Sequence, residues 1–165
     1  ELWHRVKQAG ATYGIGPGAP NYIERVESGL LSYGADTVSD STPFEVGLDK
    51  MIALDRDDDF IGKQALMREA KNGPVRKLVG ITFDGEPVKP NEHAWAAYAD
   101  GQSAGTVRAV CHSPRCGENI GLALLEVAYA AVGTILEIEG EAATYQATVV
   151  PQPLVPPGTP LPKAG

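Results

Sequence analysis

The spacing of apolar positions changes character near residue 74. Over residues 1–8, Leu2, Trp3 and Val6 recur at helical intervals, and Gly10 stands where such a helix would stop. Residues 13–20 (YGIGPGAP) read as a loop, because the prolines remove amide donors and the glycines admit positive φ. Asn21 is placed to cap a helix of about two turns over 21–27, with Gly29 as its stop. The apolar run 51–54 predicts a short strand. Residues 60–70 predict a helix whose first turn gains from Asp57, Asp58 and Asp59 through the backbone dipole, and Asn72-Gly73-Pro74 ends it.

From Arg76 onward apolar residues alternate with polar ones between turn signals such as Asp84-Gly85-Glu86-Pro87 and Asp100-Gly101. Strands are predicted at 77–83, 94–99, 104–110, 120–125, 134–138 and 143–150. Six or seven short strands of this kind close as a barrel or a sandwich. The stretch after Pro151, with Pro153, Pro156, Pro157, Pro160 and Pro162, is expected to run extended over the surface. The expected fold class is therefore an α+β portion over 1–73 followed by an all-β barrel over 74–165.

Composition narrows the function classes. Among 165 residues, 14 Lys and Arg face 21 Asp and Glu, a formal charge of -7 that repels nucleic acid phosphates, and no basic patch offsets it. No apolar run approaches the roughly 18 residues of a membrane-spanning helix, so neither nucleic acid nor membrane is an expected partner. Two cysteines, Cys111 and Cys116, are too few for a disulfide scaffold, which favours a reducing, cytoplasmic setting. The chain starts at Glu1 inside a helical pattern with no signal segment, and it is expected to be a piece of a longer protein.

Most apparent motifs dissolve on inspection. Gly14-Ile15-Gly16-Pro17-Gly18 follows a helix rather than a strand and lacks the amides of a phosphate loop. Cys111-His112-Ser113-Pro114-Arg115-Cys116 has no second ligand pair for zinc and reads as a hairpin loop with small buried thiols. Ser113, His112 and an aspartate lack a nucleophile elbow, and the acidic run 55–59 lacks the alternation and late glutamate of a calcium loop. No metal ligand set is expected. Arg25 and Glu27 have two open readings, ligand contact or an internal ion pair supporting Tyr33 and Asp36.

The ordered string says more than its pieces. Arg25-Val26-Glu27-Ser28-Gly29, Tyr33-Gly34-Ala35-Asp36, Thr42-Pro43-Phe44-Glu45-Val46-Gly47-Leu48 and Asp59-Phe60-Ile61-Gly62-Lys63-Gln64-Ala65-Leu66 occur in that order. They are followed by Lys77-Leu78-Val79-Gly80, Gly85-Glu86-Pro87-Val88, Gly105-Thr106-Val107, Cys111-His112-Ser113-Pro114 and Ile120-Gly121-Leu122-Ala123. Over nearly the whole chain this resembles the T-protein family, the folate-dependent aminomethyltransferases of glycine cleavage and their relatives.

The resemblance implies the end of a folate-binding core followed by the family's terminal β-barrel, about half of a subunit. It implies transfer of a one-carbon unit from a small-molecule methyl donor, or from a lipoyl carrier protein, to N5 of tetrahydrofolate. The family's acidic residues at the reactive end of the folate belong to earlier parts of the chain, so no catalytic residue is assigned here, and this stretch alone is expected to be inactive. The expected cofactor-binding residues are Asn21, Tyr22, Arg25 and Glu27, and the expected macromolecular partner is the remainder of its own subunit. Asn21 stands where glycine-cleavage members carry an arginine, and the segment 157–160 lacks their tyrosine. Residues 20–27 are similar to methyl-transferring members such as dimethylsulfoniopropionate demethylases. Other readings are the folate half of a dimethylglycine or sarcosine oxidase or dehydrogenase, glycine cleavage proper, and a non-catalytic interaction barrel. A role in iron-sulfur assembly is disfavoured, because Asp59-Phe60-Ile61-Gly62-Lys63-Gln64 lacks that branch's cysteine.

Overall fold

The alternation that starts at Arg76 is expressed as six antiparallel strands, seen here in a computed structural model that describes residues 1–15, 21–156 and 159. The strands are β1 (Arg76–Phe83), β2 (Trp95–Ala99), β3 (Gln102–Ser113), β4 (Glu118–Glu126), β5 (Ile135–Glu139) and β6 (Thr144–Val150). They hydrogen-bond in the order β1-β4-β3-β2-β5-β6, and β6 closes on β1, with Ile81 opposite Val149. Closure removes the exposed sheet edges that an open arrangement would have to protect.

Each strand's period of two sorts its side chains between two cores. Val79, Ile81 and Phe83 of β1, Val107 and Val110 of β3, Ala123 and Leu125 of β4, and Ile138 of β5 fill the barrel interior. Phe83, Trp95 and Tyr145 form an aromatic group there, with Trp95 stacked on Tyr145 at 6.0 Å between centroids. The opposite faces of β1, β3 and β4 send out Leu78, Ala109, Cys111, Ile120, Leu122 and Leu124 to a second core on the barrel's outer wall. That explains why 120–125 reads as a continuous apolar run: β4 is buried on both faces. Gly105 is required where β3 crosses β4, since its φ is 141° and a Cβ would lie 2.2 Å from the Leu124 carbonyl oxygen.

Ahead of the barrel come three helices, α1 (Leu2–Gly10), α2 (Tyr22–Ser28) and α3 (Lys63–Asn72). The second core is where they meet it: Val26 and Val46, with Tyr22, Ile23 and Leu31, pack on the outer wall. Glu45 is buried and takes a two-pronged hydrogen bond from Arg76, Nε to Oε1 at 2.8 Å and Nη2 to Oε2 at 3.1 Å. The carboxylate hydrogen bond raises the Arg76 guanidinium further above its ordinary value. The expected division at residues 73 and 74 falls in the connection between α3 and β1, and the second core spans it.

Several expectations need correction. Residues 51–54 form no strand: Asp49–Met51 is a single 3-10 turn, because no neighbouring strand offers the run a ladder. α3 begins at Lys63, after a left-handed Gly62, and has no acid in its first turn. The preceding aspartates are used locally, with Asp58 paired to Arg56 and its carbonyl accepting from Lys63 Nζ. The first helix continues through Gly10 into a 3-10 turn over Ala11–Tyr13, and left-handed Gly14 ends it. β3 extends to Ser113, so Cys111 and His112 lie in a strand rather than a loop. The segment after Pro151 does not simply run over the surface. Leu154 packs on the second core, and buried Val155 donates its N–H to the Glu27 carbonyl at 3.0 Å. Residues 16–20 of the loop predicted over 13–20 and residues 157, 158 and 160–165 of the proline-rich stretch lie outside the described residues.

Candidate functional site

The four residues picked out as cofactor-binding lie on or beside α2, a helix defined by its own sequence. Asn21 has extended backbone angles, and its side-chain oxygen accepts from the Glu24 N–H at 2.9 Å. The Glu24 carboxylate in turn accepts the Asn21 N–H at 3.2 Å, completing a reciprocal cap. Gly29 closes the other end at φ 69°, in the left-handed region that glycine enters without steric cost.

Arg25 and Glu27 are two residues apart, which on a helix turns them about 200° from each other. They do not pair with each other, which corrects the ion-pair expectation. Arg25 lies over the Tyr22 ring, 4.9 Å from its centroid, and its Nη1 donates to the buried Asp36 carboxylate and to the Leu30 carbonyl. Asp36 also accepts the Ser32 N–H at 2.8 Å, so the turn after α2 is tied back to the helix. Tyr33 stays out of this network and is exposed.

Glu27 points the other way, into the barrel wall, and is 2% exposed. The Ser113 hydroxyl donates to its Oε1 at 2.6 Å, and Arg115 Nε lies 3.3 Å from its Oε2. Arg115 also reaches Glu24 with Nη2 at 3.3 Å. Ser113 accepts the Cys116 N–H at 3.0 Å, which fixes the β3–β4 turn that carries Arg115. The hairpin thus grips the helix through residues some ninety positions away in sequence.

Tyr22 continues the chain of contacts onto the barrel. Its hydroxyl donates to Asn91 Oδ1 at 3.4 Å, the same oxygen that accepts the Val110 N–H at 3.0 Å. Asn91 Nδ2 donates to the carbonyls of His93 and Arg108. Burial raises the Tyr22 phenol above its ordinary value, with the Arg25 charge pulling the other way. The phenol therefore stays protonated and acts as a donor at neutral pH.

Ser113 donates to Glu27 rather than to His112, whose Nδ1 lies 3.3 Å from Asn119 Oδ1. The Cys111 thiol is pushed up to about 12, chiefly by burial and then by the negative charge of Glu27. Such a thiol is a packing group rather than a nucleophile. Among the described residues no group of three or more His, Cys, Asp or Glu is placed to hold a metal.

The site therefore offers a capped helix end, a tyrosine face and an arginine, all on the outer wall of a barrel. Asn91, Ser113 and Arg115 were missed in the sequence because each acts only through a distant partner. The turn signal at Ser113-Pro114 marked the hairpin but not what it holds. Arg25 spends one nitrogen on Asp36 and Leu30 and lies over the half-buried Tyr22 ring. Glu27, by contrast, is committed to the barrel.

Residues 76–156 match the family described as the glycine cleavage T-protein C-terminal barrel domain. The chain is 43% identical over 138 residues to dimethylsulfoniopropionate demethylase DmdA of Ruegeria pomeroyi, a match covering 84% of this chain and 37% of that protein. An aminomethyltransferase of Caldanaerobacter subterraneus is 38% identical over 140 residues, covering 83% and 36%. One from Bacillus subtilis is 32% identical over 155 residues, covering 92% and 42%. The crystal structure of glycine cleavage system aminomethyltransferase T from Bartonella henselae superposes on 81% of this chain and 37% of its own, with a TM-score of 0.70 at 23% identity, and shows the same fold. The chain spans about two fifths of the length of these relatives. No described helix is long and apolar enough to cross a membrane.

Proposed function

Because this chain belongs to the glycine cleavage T-protein superfamily and corresponds to its C-terminal portion, we propose that it completes a tetrahydrofolate-dependent one-carbon transferase. Residues 1–73 are the end of the folate-binding core and residues 74–165 the terminal barrel. The observation that carries the reading is the 43% identity over 138 residues to a dimethylsulfoniopropionate demethylase. Asn21, in place of the arginine of glycine-cleavage members, points the same way.

The proposed donor is a small sulfonium or N-methyl compound bearing a carboxylate. When bound, tetrahydrofolate would offer N5 as the acceptor of the methyl carbon and give up a proton, and a sulfonium donor would leave with the bonding pair as a thioether. This chain's residues bind and orient rather than react. The Tyr22 ring and the Arg25 guanidinium border the cofactor, with Asn21 at the helix end beside them. Glu27 holds their helix in place through Ser113 and Arg115. Residues that contact the reacting atoms belong to the rest of the subunit, which covers the apolar surfaces of α1 and of the segment before α3.

A second reading, transfer of an aminomethyl carbon from a lipoyl carrier protein, is favoured by the 38% identity to an aminomethyltransferase. A subunit of the relatives' full length that carries this chain is to be incubated with tetrahydrofolate and either dimethylsulfoniopropionate or the aminomethyl-loaded carrier. The expected product is 5-methyltetrahydrofolate from the sulfonium donor. Methylene product from the carrier alone would establish the second reading. Absence of both products and of folate binding would overturn the transferase assignment.

A further inference from the structure

Four arginines in the chain are half-buried, Arg25, Arg76, Arg108 and Arg115. Three are neutralised: Arg25 by Asp36, Arg76 by Glu45, and Arg115 by Glu24 and Glu27. Among the described residues Arg108 has no carboxylate partner, and its Nε is fully buried without any acceptor. A buried donor left unpaired loses its hydrogen bonds to water and gains none, so a folded chain that retains one calls for a reason.

Its placement supplies one. Arg108 is the extra residue of a β-bulge: Val107 pairs with Ala123 and Ala109 with Leu122, leaving Arg108 without a partner in β4. Bulges re-aim a side chain that regular pleating would fix, and they recur beside functional sites. The Arg108 carbonyl is held by Asn91 Nδ2, and Asn91 Oδ1 receives the Tyr22 hydroxyl. A single asparagine thus ties the bulge to the tyrosine assigned above to the cofactor face. Arg25, the other cation of this cluster, is already cancelled by Asp36, so Arg108 carries its uncompensated positive charge.

We propose that Arg108 is a binding residue for a ligand carboxylate at the junction of the β3 bulge and α2, an inference that rests on the transferase reading. Guanidinium presents Nε and one Nη as a planar fork that meets both oxygens of a carboxylate, and a single such group satisfies the buried Nε–H and the charge together. Two carboxylates are available in that reaction, the glutamyl tail of the folate and the acid group of the methyl donor. Asn91 is the positioning residue that holds the bulge.

The test uses the full-length subunit carrying Arg108→Met, with Arg108→Lys beside it. Binding of tetrahydrofolate and of tetrahydropteroate, which lacks the glutamate, is measured by titration calorimetry, and the donor KM by product formation. Arg108→Met is expected to weaken one carboxylate ligand by tenfold or more, with Tm unchanged or raised because an orphaned donor is removed, and Arg108→Lys to recover part of the loss. Weakened tetrahydrofolate with unchanged tetrahydropteroate identifies the glutamyl tail, whereas a raised donor KM alone identifies the donor's acid group. Unchanged affinity for both ligands in a folded variant overturns the proposal, as does a lowered Tm with both ligands equally weakened. If the unsubstituted subunit binds no folate and turns over no donor, it is the transferase reading that fails.

Discussion

The barrel and the seventy-odd residues before it solve the burial problem in different ways. Strands β1 to β6 supply the buried side chains of the interior core, and closure leaves no edge to cover. Ahead of them, α2 and the turn around Val46 share a core with the barrel wall, while α1 and the segment before α3 share none with it. Of seventeen large apolar side chains left exposed among the described residues, thirteen precede residue 74, including Trp3, Met51 and Ile61. On the transferase reading, these are the side chains that the rest of the subunit would cover. A self-contained barrel and a half-covered preceding segment are what a C-terminal portion of a larger subunit should look like.

Substitutions sharpen the contrast. The largest effect is expected inside the barrel, where Ile81→Ala removes a fully buried side chain from a closed interior. It should cost about 4 kcal/mol in urea denaturation, because surrounding strands cannot collapse onto the cavity. Glu27→Ala should cost about 2 kcal/mol by leaving the buried Ser113 hydroxyl without its acceptor and Arg115 with Glu24 as its remaining carboxylate. Its signature is selective: protection of α2 amides falls while the near-ultraviolet circular dichroism of Trp95 and Tyr145 inside the barrel persists.

Cys111 reports on the seam between the two regions by titration. The folded thiol holds its proton up to about 12, whereas the unfolded one releases it near the ordinary value of about 8.5. The unfolded state therefore loses protons first, and stability present below about 8.5 should fall as pH rises from there towards 12. Denaturation midpoints of Cys111→Ala against the parent chain should lose this alkaline slope. At pH 8 a maleimide should label the half-buried Cys116 well before the buried Cys111. The smallest effect belongs to the exposed face: Ile61→Ser should change the stability of this chain by less than about 0.5 kcal/mol, and a larger loss in the full subunit would locate the covering partner.

What the sequence revealed follows the same division. The six strands were legible because in-out alternation and glycine turns are local signals, and α2 was legible because Asn21 and Gly29 bracket it. The strand expected at 51–54 failed for the complementary reason, since a strand exists only where another edge receives its hydrogen bonds. The length of β3 was underestimated because His112 and Ser113 are polar, and only the approach of Glu27 and Asn119 makes their burial favourable. The partners of Arg25 and Glu27, which are Asp36, Ser113 and Arg115, are set by tertiary approach and leave no local signal. Arg108 carried no signal at all, because a bulge is not encoded by alternation.

On the proposal made above, the functional surface lies on the outer wall, where α2 meets the β3 bulge, and not in the barrel interior. Hydrogen exchange on the full-length subunit with and without tetrahydrofolate tests it most directly. Added protection confined to residues 21–27 and to the neighbourhood of Asn91 and Arg108, with the interior strands unchanged, is the predicted result. Protection that appears elsewhere while these segments exchange as before would contradict it.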